Sequence, residues 1–478
     1  MKKAFAAGVL LFLIVLFGLQ YLISGVFLLK GATVQHSLEM GDHGSRLFFA
    51  NMKNLPFLFR EFFGKPVYQR HKISPFFFGL NVAPPRDPDD DKKVISDLKS
   101  LNVKALRIDV GFGYSLPLAR INSFIESVLP HFDVLLHVVQ HPDMAAAMST
   151  RAYHEQWQEF LRALMSRYQG RVKGIEIGSL PNRKKWSGYS IVDYLEAVKI
   201  AFTLSDGYGV EIAGPNIQDF EPFWQITFFE ELKKEGLRFS VSTDNLFVDR
   251  AVQPELFDTH VLGKKLTNLA KMDLINKSRV LASISKEFGV DSLYSTYTQW
   301  NLNVPSSYYF ASEERLALPE SYANYLVRYY LLAAAGGYID RVYWGEYASY
   351  KEGLLDDGYN PVEEERAFPD AHHKFLGFGD VDSHKKRSAF FAYKTMAKLL
   401  EGSVFVEKVK TREGLFLFRF DKGKSKIFTI WTLDGEELSF ESDDFFQCIR
   451  FDRDGKPLSK PKEQSFKVSA SPQYLVCD

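Results

Sequence analysis

The stretch Gly174-Ile175-Glu176-Ile177-Gly178-Ser179-Leu180-Pro181-Asn182-Arg183-Lys184-Lys185-Trp186 decides how the chain is read. Ile175 and Ile177 alternate with Glu176 and Gly178, which is the period of a strand, and Pro181-Asn182 ends it. A charged Glu176 within an apolar strand requires a partner, because a lone buried carboxylate does not stay ionised. A basic turn then runs to Trp186.

On both sides of this stretch, strand-like and helix-like segments alternate from Ser74 to about Leu400. Phe76–Val82, Ala105–Val110, Val134–Val139, Val210–Ala213, Phe239–Ser242, Ser292–Trp300 and Ile339–Trp344 read as the remaining strands. Helical segments lie between them, such as 151–168 with Trp157, Leu161 and Leu164 on one stripe, and 386–400 closes the set. Eight such units predict an α/β fold, a (β/α)8 TIM barrel with chemistry at the C-terminal strand ends. A doubly wound sheet is the rival, but the chain lacks a dinucleotide fingerprint or a Gly-rich phosphate loop.

The flanks differ from this body. Beyond Glu401, short strands broken by Arg412-Glu413-Gly414, Lys422-Gly423 and Asp454-Gly455 predict a small C-terminal antiparallel, β-sandwich-like domain over 401–478. Cys448 and Cys477, the two cysteines, fall within it, and their spacing leaves both a disulfide and free thiols open. At the other end, Lys2-Lys3 precede an uncharged apolar run from Ala4 to Leu29, closed by Lys30. That run exceeds the core of a signal peptide, about 7–15 residues, and is long enough to cross a bilayer. Residues 1–30 therefore read as an uncleaved signal anchor, a single transmembrane helix, with a cleaved signal peptide as the alternative. The bulk of the chain is then expected on the periplasmic or extracytoplasmic side. Residues 31–72 form an aromatic stem in which Phe59, Phe62 and Phe63 share a helical face, suited to a membrane surface or to packing on the main domain. The main body spans 73–400.

Lys plus Arg equals Asp plus Glu at 59 each, so no basic field points to nucleic acid. The aromatic share of 15% fits sugar-binding faces and ordinary cores alike. His137-x-x-x-His141 leaves the third strand, where helical metal-ligand spacing does not apply, and neither metal nor cofactor is expected.

The order of features resembles the retaining glycoside hydrolases of the large (β/α)8 clan that includes β-xylosidases and cellulases. Strand four of that clan ends E-I-x-N-E-P-N, and Glu176-Ile177-Gly178-Ser179-Leu180-Pro181-Asn182 matches its first Glu, Ile, Pro and final Asn. Strand seven ends T-E-x-G-W, and Thr296-Tyr297-Thr298-Gln299-Trp300 keeps the Thr and the Trp. Leu106-Arg107-Ile108-Asp109, Gly214-Pro215-Asn216 and Tyr343-Trp344 are similar to the ends of strands two, five and eight, and the resemblance spans residues 73–435.

The resemblance places Leu180 at the general acid/base and Tyr297 at the nucleophile. Retaining hydrolysis needs two carboxyl groups about 5–5.5 Å apart, so the expectation is a divergent member lacking both, a pseudoenzyme that binds an envelope or extracellular polysaccharide. Arg107, Asp109, Asn182, Asp244, Trp300, Trp344 and Glu346 are the expected substrate-binding residues, and Arg107 the expected partner of Glu176. A second reading keeps O-glycosyl hydrolysis. In it Tyr297 attacks with help from Glu346 while Arg183 and Arg250 hold an acidic substrate, or carboxylates among Asp219, Glu221 and Asp244 act as an inverting pair. A third makes the barrel a scaffold for polysaccharide-biosynthesis proteins at the membrane.

Overall fold

The computed structural model describes residues 42–114, 118–246, 253–258, 271–298, 319–349, 353–358, 375–377, 379–441, 445, 447–458 and 465–477. Eight parallel strands close into a barrel: β1 (Phe78–Asn81), β2 (Ala105–Phe112), β3 (Asp133–Gln140), β4 (Gly174–Ile177), β5 (Ile212–Gln218), β6 (Val241–Asn245), β7 (Leu293–Thr298) and β8 (Arg341–Trp344). β8 pairs back onto β1 through Phe78–Val342 and Leu80–Trp344. Among the described residues two helices precede the barrel, α1 (Asp42–Lys53) and α2 (Leu55–Phe62). Around it lie α3 (Asp91–Ser100), α4 (Leu118–Val128), α5 (Arg151–Tyr168), α6 (Ile191–Tyr208), α7 (Pro222–Lys234), α8 (Leu274–Glu287), α9 (Pro319–Gly336) and α10 (Ser388–Leu400). The TIM-barrel expectation is met, with strand and helix ends shifted by a few residues.

The barrel interior is layered. At the N-terminal strand ends Arg341 bonds Asp133 across 2.6 Å. Above them, Ala105, Leu135, Ala213, Val241, Tyr294 and Tyr343 form an apolar plug. Further along these strands lies the polar layer described below, with Arg107, His137 and Thr296 each two residues on from a plug residue and Asn216 placed by a register shift between Pro215 and Ile217. Alternate residues point out to the helices: Ser242 meets Gln225 of α7, and Ser295 meets Tyr329 of α9.

The described part of the stem is helical as far as Phe62 and lies on the barrel, and it ends in the strand His71–Lys72. Asn51 of α1 donates to Thr227 of α7, Arg279 of α8 donates to Glu61 of α2, and Phe62 is buried against Phe220 and Phe223. Packing on the main body thus accounts for Phe62, while Phe63 remains exposed.

After α10 come β9 (Val404–Lys408), β10 (Leu415–Lys422), β11 (Ser425–Thr432), β12 (Leu438–Glu441), β13 (Ile449–Phe451), β14 (Ser465–Val468) and β15 (Gln473–Cys477). A six-stranded antiparallel sheet runs from His71–Lys72 through β9, β10, β11 and β15 to β13, and β12 pairs with β14. Cys448 and Cys477 are disulfide-bonded. Arg328 of α9, fully buried, joins the sheet to the barrel by bonding Glu255, Gln253 and Asp434 at 2.7 Å each, and Trp431 of β11 donates to the same Glu255.

The apolar run Ala4–Leu29 lies outside the described residues. Among the described residues no helix is long and apolar enough to cross a membrane.

Candidate functional site at the C-terminal barrel face

Seven strands, β1 to β7, contribute inward polar side chains to one connected layer. Arg107 Nε donates to Glu176 Oε2 across 2.6 Å, and its NH1 reaches Asn81 Oδ1 at 2.9 Å and Asp109 Oδ1 at 3.4 Å. Asn216 donates to Glu176 Oε1 at 2.7 Å and to Thr296 at 3.2 Å, while Thr296 donates to Asn245 at 3.1 Å. Strand parity explains the assembly: Asn81 pairs in register with Arg107, Asp109 with His137, and His137 with Glu176, so all face the axis together.

Electrostatics hold this layer charged. Glu176 is 0% exposed. Burial pushes its carboxyl up, but the charges of Arg107 and His137 and hydrogen bonds from Arg107 and Thr243 outweigh burial and keep it below the usual carboxylate range. The sequence-predicted Arg107–Glu176 pair is therefore present.

His137 places Nδ1 2.8 Å from Asp109 Oδ1 and Nε2 2.8 Å from the Gly178 carbonyl. A carbonyl only accepts, so Nε2 carries a proton, and the Asp109 contact needs a second proton of its own. Asp109 keeps 16% of its side chain exposed. It thus presents a proton-sharing dyad toward solvent at the barrel mouth.

At the two positions where the family resemblance expects carboxylates, the chemistry differs. The strand ends at Ile177, and Gly178 and Leu180 take φ of 75° and 52°. Glu176 and Leu180 therefore do not share a strand face. Leu180 sits half-buried, its amide donating to Asn216 Oδ1 at 3.2 Å. Tyr297 lies against Gly345, where a Cβ would come within 2.8 Å of its ring, and its hydroxyl donates to Glu346 Oε1 at 3.2 Å. A leucine neither gives nor takes a proton; among the described residues the Tyr297–Glu346 pair and the Asp109–His137 dyad are acid–base groups that reach this mouth with some exposure.

Several expected ligand contacts need correction. Trp344 is 0% exposed and faces outward, its Nε1 donating to Tyr322 of α9 at 2.7 Å. Its strand parity sets it between barrel and helices, so it does not floor a sugar site. Asp244 alternates with the inward Thr243 and Asn245 and is likewise buried on the helix side. Neither of its carboxyl oxygens has a hydrogen-bond partner among the described residues. Asn182 exchanges two 3.0 Å bonds with the backbone of Gln218, which makes it a clamp between loops. Arg183 is held by Asp219 at 3.0 Å and Glu221 at 2.9 Å, so its charge is engaged within the protein and the two carboxylates are tied to it, which suits neither an acidic-substrate clamp nor an inverting pair with Asp244. Trp300 and Arg250 lie outside the described residues. The sequence reading missed Asn81, His137, Asn245 and Thr296 as members of the layer. Their signal was position alone, a polar residue near a strand's C-terminal end with inward parity.

No protein-family model and no curated protein matches the sequence. Solved structures do share the architecture. A family 39 glycoside hydrolase from Bacteroides cellulosilyticus WH2 superposes with TM-score 0.60 at 17% identity, covering 85% of this chain and 81% of that one. A family 39 β-xylosidase from Caulobacter crescentus gives 0.52 at 12% identity, covering 87% and 97%. A family 30 endoxylanase from Clostridium papyrosolvens C71 gives 0.52 at 10% identity, covering 86% and 98%. At these identities the likeness establishes the fold: the chain is built on the (β/α)8 barrel that these glycoside hydrolases share.

Proposed function

We propose that this protein binds a polysaccharide in the mouth of its barrel without the retaining double displacement. The observation that carries the reading is a complete polar layer, centred on Arg107–Glu176, beneath a mouth with Leu180 and Tyr297 at the two family carboxylate positions. Loss of a general acid alone typically costs about 10²–10⁴-fold in rate, and loss of the nucleophile removes the covalent intermediate. Arg107 and Asn216 position the layer, and Asp109 is the group within it that meets sugar hydroxyls. Ala4–Leu29 anchors the chain in a membrane, with the barrel on the extracytoplasmic side. A disulfide between Cys448 and Cys477 accords with an oxidising compartment. The test is calorimetric titration of the full chain in detergent with neutral and acidic oligosaccharides: saturable heat supports the reading, and no heat across the panel removes it.

The 3.2 Å bond from Tyr297 to Glu346 favours a second reading, in which Glu346 takes the phenolic proton as the tyrosine oxygen attacks an anomeric carbon, the glycosidic C–O bond breaks with the aglycone leaving as an alcohol protonated by water, and a second water hydrolyses the glycosyl–tyrosine and returns the phenol. Release of reducing sugar that disappears in both Tyr297→Phe and Glu346→Gln would establish it.

A further inference from the structure

The loop between β4 and α6 carries an indole that the packing of the barrel does not use. Trp186 is 63% exposed, whereas Trp157, Trp344 and Trp431 are fully buried. A tryptophan in a core or interface buries on the order of 150–250 Å², so an indole left in water forgoes a large apolar contribution.

The mount of this indole is rigid. On one side Asn182 is locked to Gln218 and Arg183 to Asp219 and Glu221. On the other, Gly188 closes the short helix Lys184–Ser187 at φ 79°, so close to the neighbouring loop that a Cβ would meet the Pro142 carbonyl at 2.0 Å. Between these fixed points, Trp186 faces solvent with Lys185 Nζ 5.5 Å from its ring centroid and the exposed Lys184 beside it. The loop leaves the C-terminal end of β4, the same end of the barrel as the polar layer.

We propose that Trp186 with Lys184 and Lys185 is an outer subsite for an acidic polysaccharide. The apolar C–H face of a pyranose stacks on the indole, and a carboxylate or other anionic substituent on that sugar or the next one meets the ammonium groups. The rigid mount means little ordering is required on binding, which favours a site over a chance exposure. An acidic chain held here extends past Leu180 toward Asp109 and Tyr297. The inference rests on the binding function proposed above and assigns that function its substrate class.

The experiment titrates the full chain with hexamers of galacturonate, mannuronate and xylose, following Trp fluorescence and heat, for the parent, Trp186→Ala and Lys184→Gln/Lys185→Gln. Expected are tighter binding of at least one uronate hexamer than of xylohexaose, a loss of about 2- to 12-fold in Trp186→Ala, and a flatter salt dependence in the double variant. Because these side chains are exposed, melting temperature should stay unchanged, which separates binding from folding. If hexamers bind but Trp186→Ala matches the parent, or xylohexaose binds as well as the uronates at low salt, the subsite is overturned while the binding function stands. If no hexamer binds, both fall.

Discussion

Arg107 Nε lies 2.6 Å from Glu176 Oε2 on the barrel axis, and both side chains are shielded from solvent. This pair is the centre from which the polar layer is ordered, since Glu176 accepts from Asn216 and Arg107 donates to Asn81 and Asp109. Breaking a buried pair from one side leaves an uncompensated charge. Arg107→Met should therefore cost about 3–5 kcal/mol in chemical denaturation, and a loss below 1 kcal/mol would show that the pair is dispensable.

The same pair sets a pH dependence. Glu176 has its folded-state value below that of the unfolded chain, so its contribution is present above about pH 4.3 and is lost as pH falls through the folded value. In the double variant Arg107→Met/Glu176→Gln the acid limb of the stability profile should flatten relative to the parent. Superimposable limbs would place the acid sensitivity elsewhere.

Asp244 behaves in the opposite sense. Burial first, then the negative charges of Asp219 and Glu221, push its carboxyl well above the usual range against a smaller pull from Lys277. Folding therefore favours its protonated form relative to the unfolded chain, and its contribution is full below about pH 3.9 and declines as pH rises toward the folded value. Asp244→Asn should raise the melting temperature at pH 8 more than at pH 4. Equal shifts at both pH values would contradict an upward-shifted Asp244.

The disulfide Cys448–Cys477 closes a loop with sequence separation 29 at the edge of the C-terminal sheet. Cys448→Ala/Cys477→Ala should lower stability by about 2–4 kcal/mol, read as a shift in denaturation midpoint. An unchanged midpoint would mean that β13 and β15 hold without it.

Much of the barrel was legible because its signal is periodic. Runs such as Ala105–Val110 and Val134–Val139 could hardly be other than buried parallel strands, and Trp157, Leu161 and Leu164 mark one face of α5. Glu176 was legible because a buried charge demands a partner. What sequence could not convey was which way strand-end residues face. Trp344 and Asp244 belong to strands whose inward positions are Tyr343, Thr243 and Asn245, a one-residue difference that moves a side chain from the mouth to the helix layer. Asn182 and Arg183 looked like ligand groups, yet their partners Gln218, Asp219 and Glu221 come from the next strand's loop, some 36 residues away and invisible to local pattern.

The most direct measurement of the central claim is simultaneous binding and product release with the full chain and one panel of neutral and acidic oligosaccharides. Saturable binding with no new reducing ends over many hours, unchanged by Tyr297→Phe, is the expected result. Steady release of reducing ends by the parent chain, abolished by Tyr297→Phe or Glu346→Gln, would contradict it.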